Sequence, residues 1–321
     1  MGRGSGFGKV ILFGEHFVVH GVPGIVSAID STTDAEVKKI GEGITVKDER
    51  KGAKGYTEKK RVQQKESIER MLKTMGIIPE KASLEIWLGG NLPGFSGIGA
   101  SAASSVAIAR AVAEEFEMNL SDEKINEIAY EAEKAYAGTP SGIDNTAATY
   151  GGLIWFKRNL SGGPNTIERL SMREPVEIVI GNTGIVADTK EMVAGVAERK
   201  RRNPERYNRL FKQAEELAFT ARKGLEEFDL RKVGKLMNEN HRLLQEIEVS
   251  CKELDYLVNL AREQGAFGAK LTGGGGGGCM VALTPSKELQ EAVATAMEKE
   301  GFKVLRTKIG IQKYQHTKNK K

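Results

Sequence analysis

Cysteine is nearly missing: Cys251 and Cys279 are the only two in 321 residues. They form neither a metal-spaced cluster nor a disulfide framework, which fits a reducing, cytoplasmic setting. Aromatic residues make up 6%, too few for the stacking platforms of single-strand nucleic-acid binding. No apolar run approaches the ~20 residues needed to span a bilayer. The first residues show no signal-peptide pattern, because only the short apolar run 10–13 follows Gly8-Lys9. An excess of one charge is also lacking. There are 48 Lys and Arg against 43 Asp and Glu, a formal net charge of +5. The one basic run, residues 316–321, reads as a solvated or appended end. This balance favours a small anionic substrate over nucleic acid.

Glycine is abundant instead, with 38 residues concentrated at 2–8, 89–99, 138–152 and 273–278. Backbone without Cβ approaches a ligand closely and adopts positive φ readily. Four such clusters beside predicted strands and helices suggest a site assembled from loops. The first half reads as strands at 10–13, 24–29, 35–40, 44–47 and 84–88, with Gly41-Glu42-Gly43 as a hairpin turn between the third and fourth. Helical spacing links Ile68, Met71, Leu72 and Met75, and again Ile125, Ile128, Ala129, Ala132 and Tyr136 behind an N-cap at Ser121. A strand follows at 152–156. In the second half, strands are predicted at 176–180, 280–283 and 304–309. Apolar stripes run from Tyr207 to Phe228 and from Val233 to Ile247, and a helix covers 287–300. The turn-rich Ser161-Gly162-Gly163-Pro164 suggests a boundary. The expectation is two domains, 1–163 and 164–312, followed by a basic tail at 313–321.

Four segments carry chemistry. In the first, Lys9 opens an apolar strand that Gly14-Glu15-His16 closes, before Phe17-Val18-Val19-His20-Gly21. Taken alone, such a lysine is usually solvated. In the second, Pro93-Gly94-Phe95-Ser96-Gly97-Ile98-Gly99-Ala100-Ser101-Ala102 precedes a small-residue helix. A glycine loop running into a helix start favours phosphate, and Ser101 adds a hydroxyl suited to Mg²⁺. The loop lacks the Gly-Lys-Ser/Thr of a P-loop, and the chain has no His-Arg-Asp catalytic loop. The third segment places Glu133 at a helix end and Asp144 beyond Gly138-Thr139-Pro140-Ser141-Gly142, a spacing that suits one metal ligand and one base. The fourth is Lys270-Leu271-Thr272 followed by six glycines, with Gly273, Gly274, Gly275 and Gly276 leading, running straight into the apolar strand at Cys279. A flexible linker would not enter a buried strand in this way, so a loop that closes over a ligand is the better reading. Neither cysteine has a neighbouring histidine in sequence, and both read as core thiols.

Together and in this order, the four segments resemble the GHMP kinase superfamily. The stretch from Lys9 to Gly21 is similar to its mevalonate kinase branch rather than to galactokinases, which would show Arg-Val-Asn-Leu-Ile-Gly-Glu-His-Thr-Asp there. The resemblance implies an α+β fold with an N-terminal half like domain 2 of ribosomal protein S5 and a ferredoxin-like C-terminal half. It also implies ATP and mevalonate as substrates in a cleft, Mg²⁺ as cofactor, and a homodimer. It assigns the residues as follows. Asp144 is the catalytic carboxylate and Lys9 its partner. Ser101 and Glu133 are metal ligands. Pro93, Gly94, Gly97, Gly99, Ala100, Ser101 and Ala102 surround the nucleotide phosphates. Glu15, His16 and Thr189 contact mevalonate. Two departures stand out: Ala137 replaces a frequent His, and Gly99-Ala100-Ser101 replaces Gly-Ser-Ser. The competing expectations are a kinase for phosphomevalonate or a sugar, a catalytically silent regulator on the same fold, and an RNA-binding protein built on the S5-like half.

Overall fold

A computed structural model describes residues 1–50, 58–95, 97–138 and 140–311. The basic tail expected at 313–321 lies outside them. Within the described chain there are two compact units. The first takes in residues 1–9, 30–95 and 99–151, and the second residues 10–29, 97–98 and 152–311. Both mix helices and antiparallel strands, as the α+β expectation requires.

The first unit contains most of strand β1 (Gly2–Phe13), the far end of β2 (Gly24–Lys39), β3 (Ile44–Asp48) and β4 (Leu84–Gly90), with helices α1 (Glu58–Thr74), α2 (Ala100–Glu115), α3 (Asp122–Ala137) and α4 (Ile143–Tyr150). Alternate β-branched and aliphatic residues of β2 and β4 (Ala35, Val37, Ile86 and Leu88) are buried against Met71 and Leu72 of α1, Val106 of α2 and Ile128 and Ala132 of α3. Ser121 caps α3 as expected, its hydroxyl accepting the Lys124 N–H.

Several local readings change. The 2–8 glycine cluster is strand, not loop. Gly2, Gly4 and Gly6 alternate along the face toward α2, where an added Cβ would fall 2.0–2.2 Å from the carbonyl oxygens of Ala111, Ala107 and Ala103. Only glycine at every second position lets strand and helix backbones lie this close. The strands expected at 24–29 and 35–40 are one strand, β2. The Gly41-Glu42-Gly43 turn does not make a hairpin, because β4 lies between β2 and β3. It pairs antiparallel with β2 (Ala35 opposite Leu88) and parallel with β3 (Val46 opposite Ile86). Asp144 lies on α4, not on a loop.

The second unit holds β5 (Leu153–Lys157), β6 (Thr166–Leu170), β7 (Val176–Asn182), α5 (Thr189–Arg202), α6 (Pro204–Glu226), α7 (Leu230–Glu246), α8 (Lys252–Glu263), β8 (Gly268–Thr272), β9 (Cys279–Leu283), α9 (Lys287–Lys299) and β10 (Lys303–Ile309). Strands run antiparallel in the order β10-β7-β9-β8. Ser161-Gly162-Gly163-Pro164 joins the antiparallel strands β5 and β6 inside this unit. The stripes read from sequence are the core: Tyr207, Leu210, Ala214, Leu243 and Leu244 pack with Met280 and Ala282. Phe228 falls outside α6, at φ 60 in the turn that follows it. Cys279 is buried and Cys251 half-buried. Among the described residues no helix is long and apolar enough to cross a membrane.

Candidate functional site

In the first unit, helix α2 begins without a side-chain cap. Its N-cap is Gly99, and its first turn carries no acidic residue. The leading N–H groups of Ala100, Ser101 and Ala102 are therefore left without intrahelical partners, a concentration of positive potential that suits an anion. Gly99 takes φ 72, and a Cβ there would stand 2.8 Å from Cγ of Lys9. The lysine stem thus lies directly on the helix start. Pro93 and Gly94 lead into this turn, where the Phe95 N–H donates to the Pro93 carbonyl at 2.8 Å.

Three of the residues singled out in sequence converge here with Lys9. The Ser101 hydroxyl donates to Glu133 Oε2 at 3.0 Å, and Ser105, not anticipated, donates to Oε1 at 3.3 Å. Lys9 Nζ is 2.9 Å from Asp144 Oδ1. The lysine side chain is 3% exposed and the aspartate 39%. Asp144 is the second residue of α4, whose N-cap is Gly142 at φ 90. Asp144 is thus an acidic residue in the first turn, at the positive end of the helix dipole. Glu133 is buried. Desolvation, then the Asp144 charge, push its carboxyl from 4.5 up to about 8, against the opposing pull of Ser101, Ser105 and Lys9. A carboxyl and a hydroxyl in contact make a hard-oxygen pair of the kind Mg²⁺ takes in small number alongside substrate phosphates. A divalent cation beside this buried carboxyl would offset the desolvation that raises it. The residues fit Mg²⁺.

In the second unit, β1 ends in Gly14-Glu15-His16. His16 adopts φ 59, uncommon for a residue with a side chain. Its Nε2–H donates to the Gly274 carbonyl at 2.9 Å. The other ring nitrogen, Nδ1, is buried with no hydrogen-bond partner among the described residues. Burial holds the imidazole at about 4, well below its ordinary 6.5, so at neutral pH it is uncharged. Its Nε2 carries the proton and Nδ1 a lone pair. Thr189, exposed at the start of α5, meets the same glycine: a Cβ on Gly274 would lie 2.7 Å from Thr189 Oγ1. His16, Thr189 and the glycine run therefore come together. The run is no linker, since five of its six glycines take positive φ. Gly97 of the second segment packs on it, with a Cβ at Gly273 falling 2.8 Å from Gly97 Cα.

Glu15 does not share the His16 contact with the glycine run. It is 1% exposed and pairs with Lys270, while Asn240 Nδ2 donates to Oε2 at 3.3 Å. The sequence reading gave neither Lys270 nor Asn240 a role. Two signals were available: a lysine inside an otherwise apolar strand before the glycines, and an asparagine on the apolar stripe of α7.

The chain matches the family described as GHMP kinases N terminal domain over residues 63–152 and that described as GHMP kinases C terminal over residues 221–303. It is 35% identical to the mevalonate kinase of Thermococcus sibiricus, covering 94% of each chain. It is also 35% identical to that of Pyrococcus abyssi, covering 94% of this chain and 93% of the relative. Among solved structures, L. major mevalonate kinase in complex with R-mevalonate superposes with a TM-score of 0.90 at 39% identity, covering 96% of each chain. Methanococcus jannaschii mevalonate kinase gives 0.79 at 26% identity, covering 96% of this chain and 98% of the other.

Proposed function

Because the chain belongs to the GHMP kinases and, within them, to the mevalonate kinases, we propose that Asp144, Lys9, Glu133 and Ser101 carry its phosphoryl transfer, with His16 and Thr189 holding the acceptor. The enzyme phosphorylates mevalonate on its primary hydroxyl, with ATP as the donor.

Phosphoryl transfer asks a protein mainly for positioning and for charge stabilisation in line with the breaking bond. The N–H groups at the start of α2 receive the nucleotide phosphates, and Gly99 admits the Lys9 stem against that helix start. Glu133 and Ser101 would hold Mg²⁺, which would supply positive charge against the nucleotide phosphates. The mevalonate hydroxyl is a weak nucleophile while protonated. Asp144 orients it and accepts its proton as the new O–P bond forms and ADP leaves. Lys9, buried along Gly99 and 2.9 Å from Asp144, offsets the negative charge of the carboxylate and of the phosphoryl group in transit. In the second unit, neutral His16 offers the Nδ1 lone pair and Thr189 its hydroxyl to the polar groups of mevalonate.

The observation that carries this reading is the contact set Lys9–Asp144 and Ser101–Glu133, formed by residues up to 135 positions apart in a cluster with no other evident task. The test is ATP-dependent ADP release on mevalonate, phosphomevalonate, galactose and homoserine. Mevalonate is expected to give the highest kcat/KM. A higher value for any of the others overturns the substrate, and a variant Asp144→Asn with unchanged kcat overturns the base.

A further inference from the structure

Lys270 is fully buried, as is the Glu15 side chain with which it pairs. Besides Glu15, its ammonium donates to the carbonyls of Leu271 at 2.7 Å and Ile11 at 3.4 Å, so each of its three N–H groups has an acceptor. Two residues on, the Thr272 hydroxyl donates to the same Ile11 carbonyl at 3.2 Å and accepts the Ile11 N–H at 3.0 Å. Asn240 on α7 completes the Glu15 carboxylate. The end of β1 is thus bolted to the end of β8, and each strand leads into one half of a contact. Glu15 is followed by His16, and Thr272 by Gly273 and Gly274, whose carbonyl takes the His16 Nε2–H.

A buried ion pair is a poor source of stability, since its desolvation cancels much of the attraction and apolar replacements often fold as well or better. What such a pair supplies is a unique register. Without the ion pair, the ends of β1 and β8 would be joined by the Thr272–Ile11 hydrogen bonds and by apolar contacts, which fix their relative position less strictly. Here a slip would strand two charges in the core.

We propose that Lys270 is a positioning residue for mevalonate: clamped by Glu15, Ile11 and Leu271, it sets the Gly14-Glu15-His16 turn against the glycine run so that the His16–Gly274 hydrogen bond forms and Nδ1 is fixed as an acceptor for a substrate hydroxyl. Glu15 then acts through His16 and Lys270 and does not itself contact the substrate. The inference rests on the reading of His16 as a mevalonate contact, and the two are separable by experiment.

The full-length double variant Glu15→Gln/Lys270→Met removes both charges while keeping side-chain volume. Three quantities are read on it: thermal unfolding, the His16 ring tautomer by long-range ¹H–¹⁵N spectra assigned with His16→Gln, and KM for each substrate with kcat. The expected result is a folded protein whose His16 no longer holds a single Nε2–H tautomer. Its KM for mevalonate is expected to rise about tenfold or more, as misplacement of a binding group does, with KM for ATP within about twofold of the parent value. A folded double variant that keeps both the tautomer and the mevalonate KM overturns the proposal and leaves the ion pair purely structural. Loss of the tautomer with an unchanged mevalonate KM upholds the positioning of His16 and overturns the reading of His16 as a substrate contact. If the double variant does not fold, Glu15→Gln alone carries the same readings. There, a retained tautomer together with an unchanged mevalonate KM refutes the proposal.

Discussion

Glu133→Gln separates the functional strain in the first unit from its folding. In the unfolded chain the Glu133 carboxyl titrates near its ordinary 4.5, and in the native protein near 8, raised mainly by burial and then by Asp144. Between those values the native state holds a proton that the unfolded state has released, so without metal stability falls as pH rises through that window. Each pKa unit corresponds to ~1.4 kcal/mol, so the interval amounts to on the order of 5 kcal/mol by pH 9, an upper bound for a site free to relax. That is a large part of the 5–15 kcal/mol typical of a folded domain. Glutamine keeps the shape and the Ser101 and Ser105 contacts but has no proton to lose. In EDTA, the unfolding free energies of parent and variant are expected to be close below pH 4.5 and to diverge progressively from there to about pH 8, with the variant several kcal/mol more stable by pH 9. Adding Mg²⁺ and nucleotide is expected to restore the parent at alkaline pH by placing positive charge beside the carboxylate, and to do little for Glu133→Gln. Denaturant titrations in buffers from pH 4.5 to 9, with and without MgCl₂, measure both effects. Parallel parent and variant curves across that range would refute the assignment of Glu133 as a buried, cation-seeking carboxylate.

Asp144→Asn is expected to lower kcat by about 10²–10⁴-fold with nucleotide affinity nearly intact; single-turnover kinetics beside nucleotide titration check it, and a folded variant with most of its kcat removes the base role. Gly99→Ala places a side chain at φ 72 and against the Lys9 stem, so a loss of ~1–3 kcal/mol in stability together with reduced kcat is expected from calorimetry and assay. Gly234→Ala would set a Cβ 2.2 Å from the Phe267 carbonyl oxygen, where α7 crosses β8; severe destabilisation read by thermal unfolding is expected, because two backbones would have to part. Thr189→Val is expected to raise KM for mevalonate and leave KM for ATP unchanged, and steady-state kinetics showing the reverse pattern would place Thr189 on the nucleotide instead.

Much of this protein is written locally. The stripes on α6 and α7 are buried where their spacing put them, Ser121 caps α3, and the glycine loop runs into α2 as read. Helix amphipathicity, capping and small-residue loops are properties of a few consecutive residues, and the chain alone determined them. The four chemical segments were likewise legible, because each is a contiguous motif whose order along the chain is itself a signal. Helix α4 was not: eight residues between two glycines, among them Asp144, Asn145, Thr146 and Thr149, carry little intrinsic helical preference, and packing against α2 and α3 supplies what propensity lacks. Strand partners were not legible either. Strand β3 pairs with β4, about 40 residues further along the chain, and not with its sequence neighbour β2, and nothing in the turn at Gly41-Glu42-Gly43 announces that choice. The early glycines carry no strand signal of their own, and only the close approach of α2 explains them. The least legible feature was the partnership of Glu15 with Lys270, 255 residues apart. A glutamate after a strand is solvated by default, and only the tertiary fold removes water from both charges, making their pairing obligatory and the register of the two loops unique.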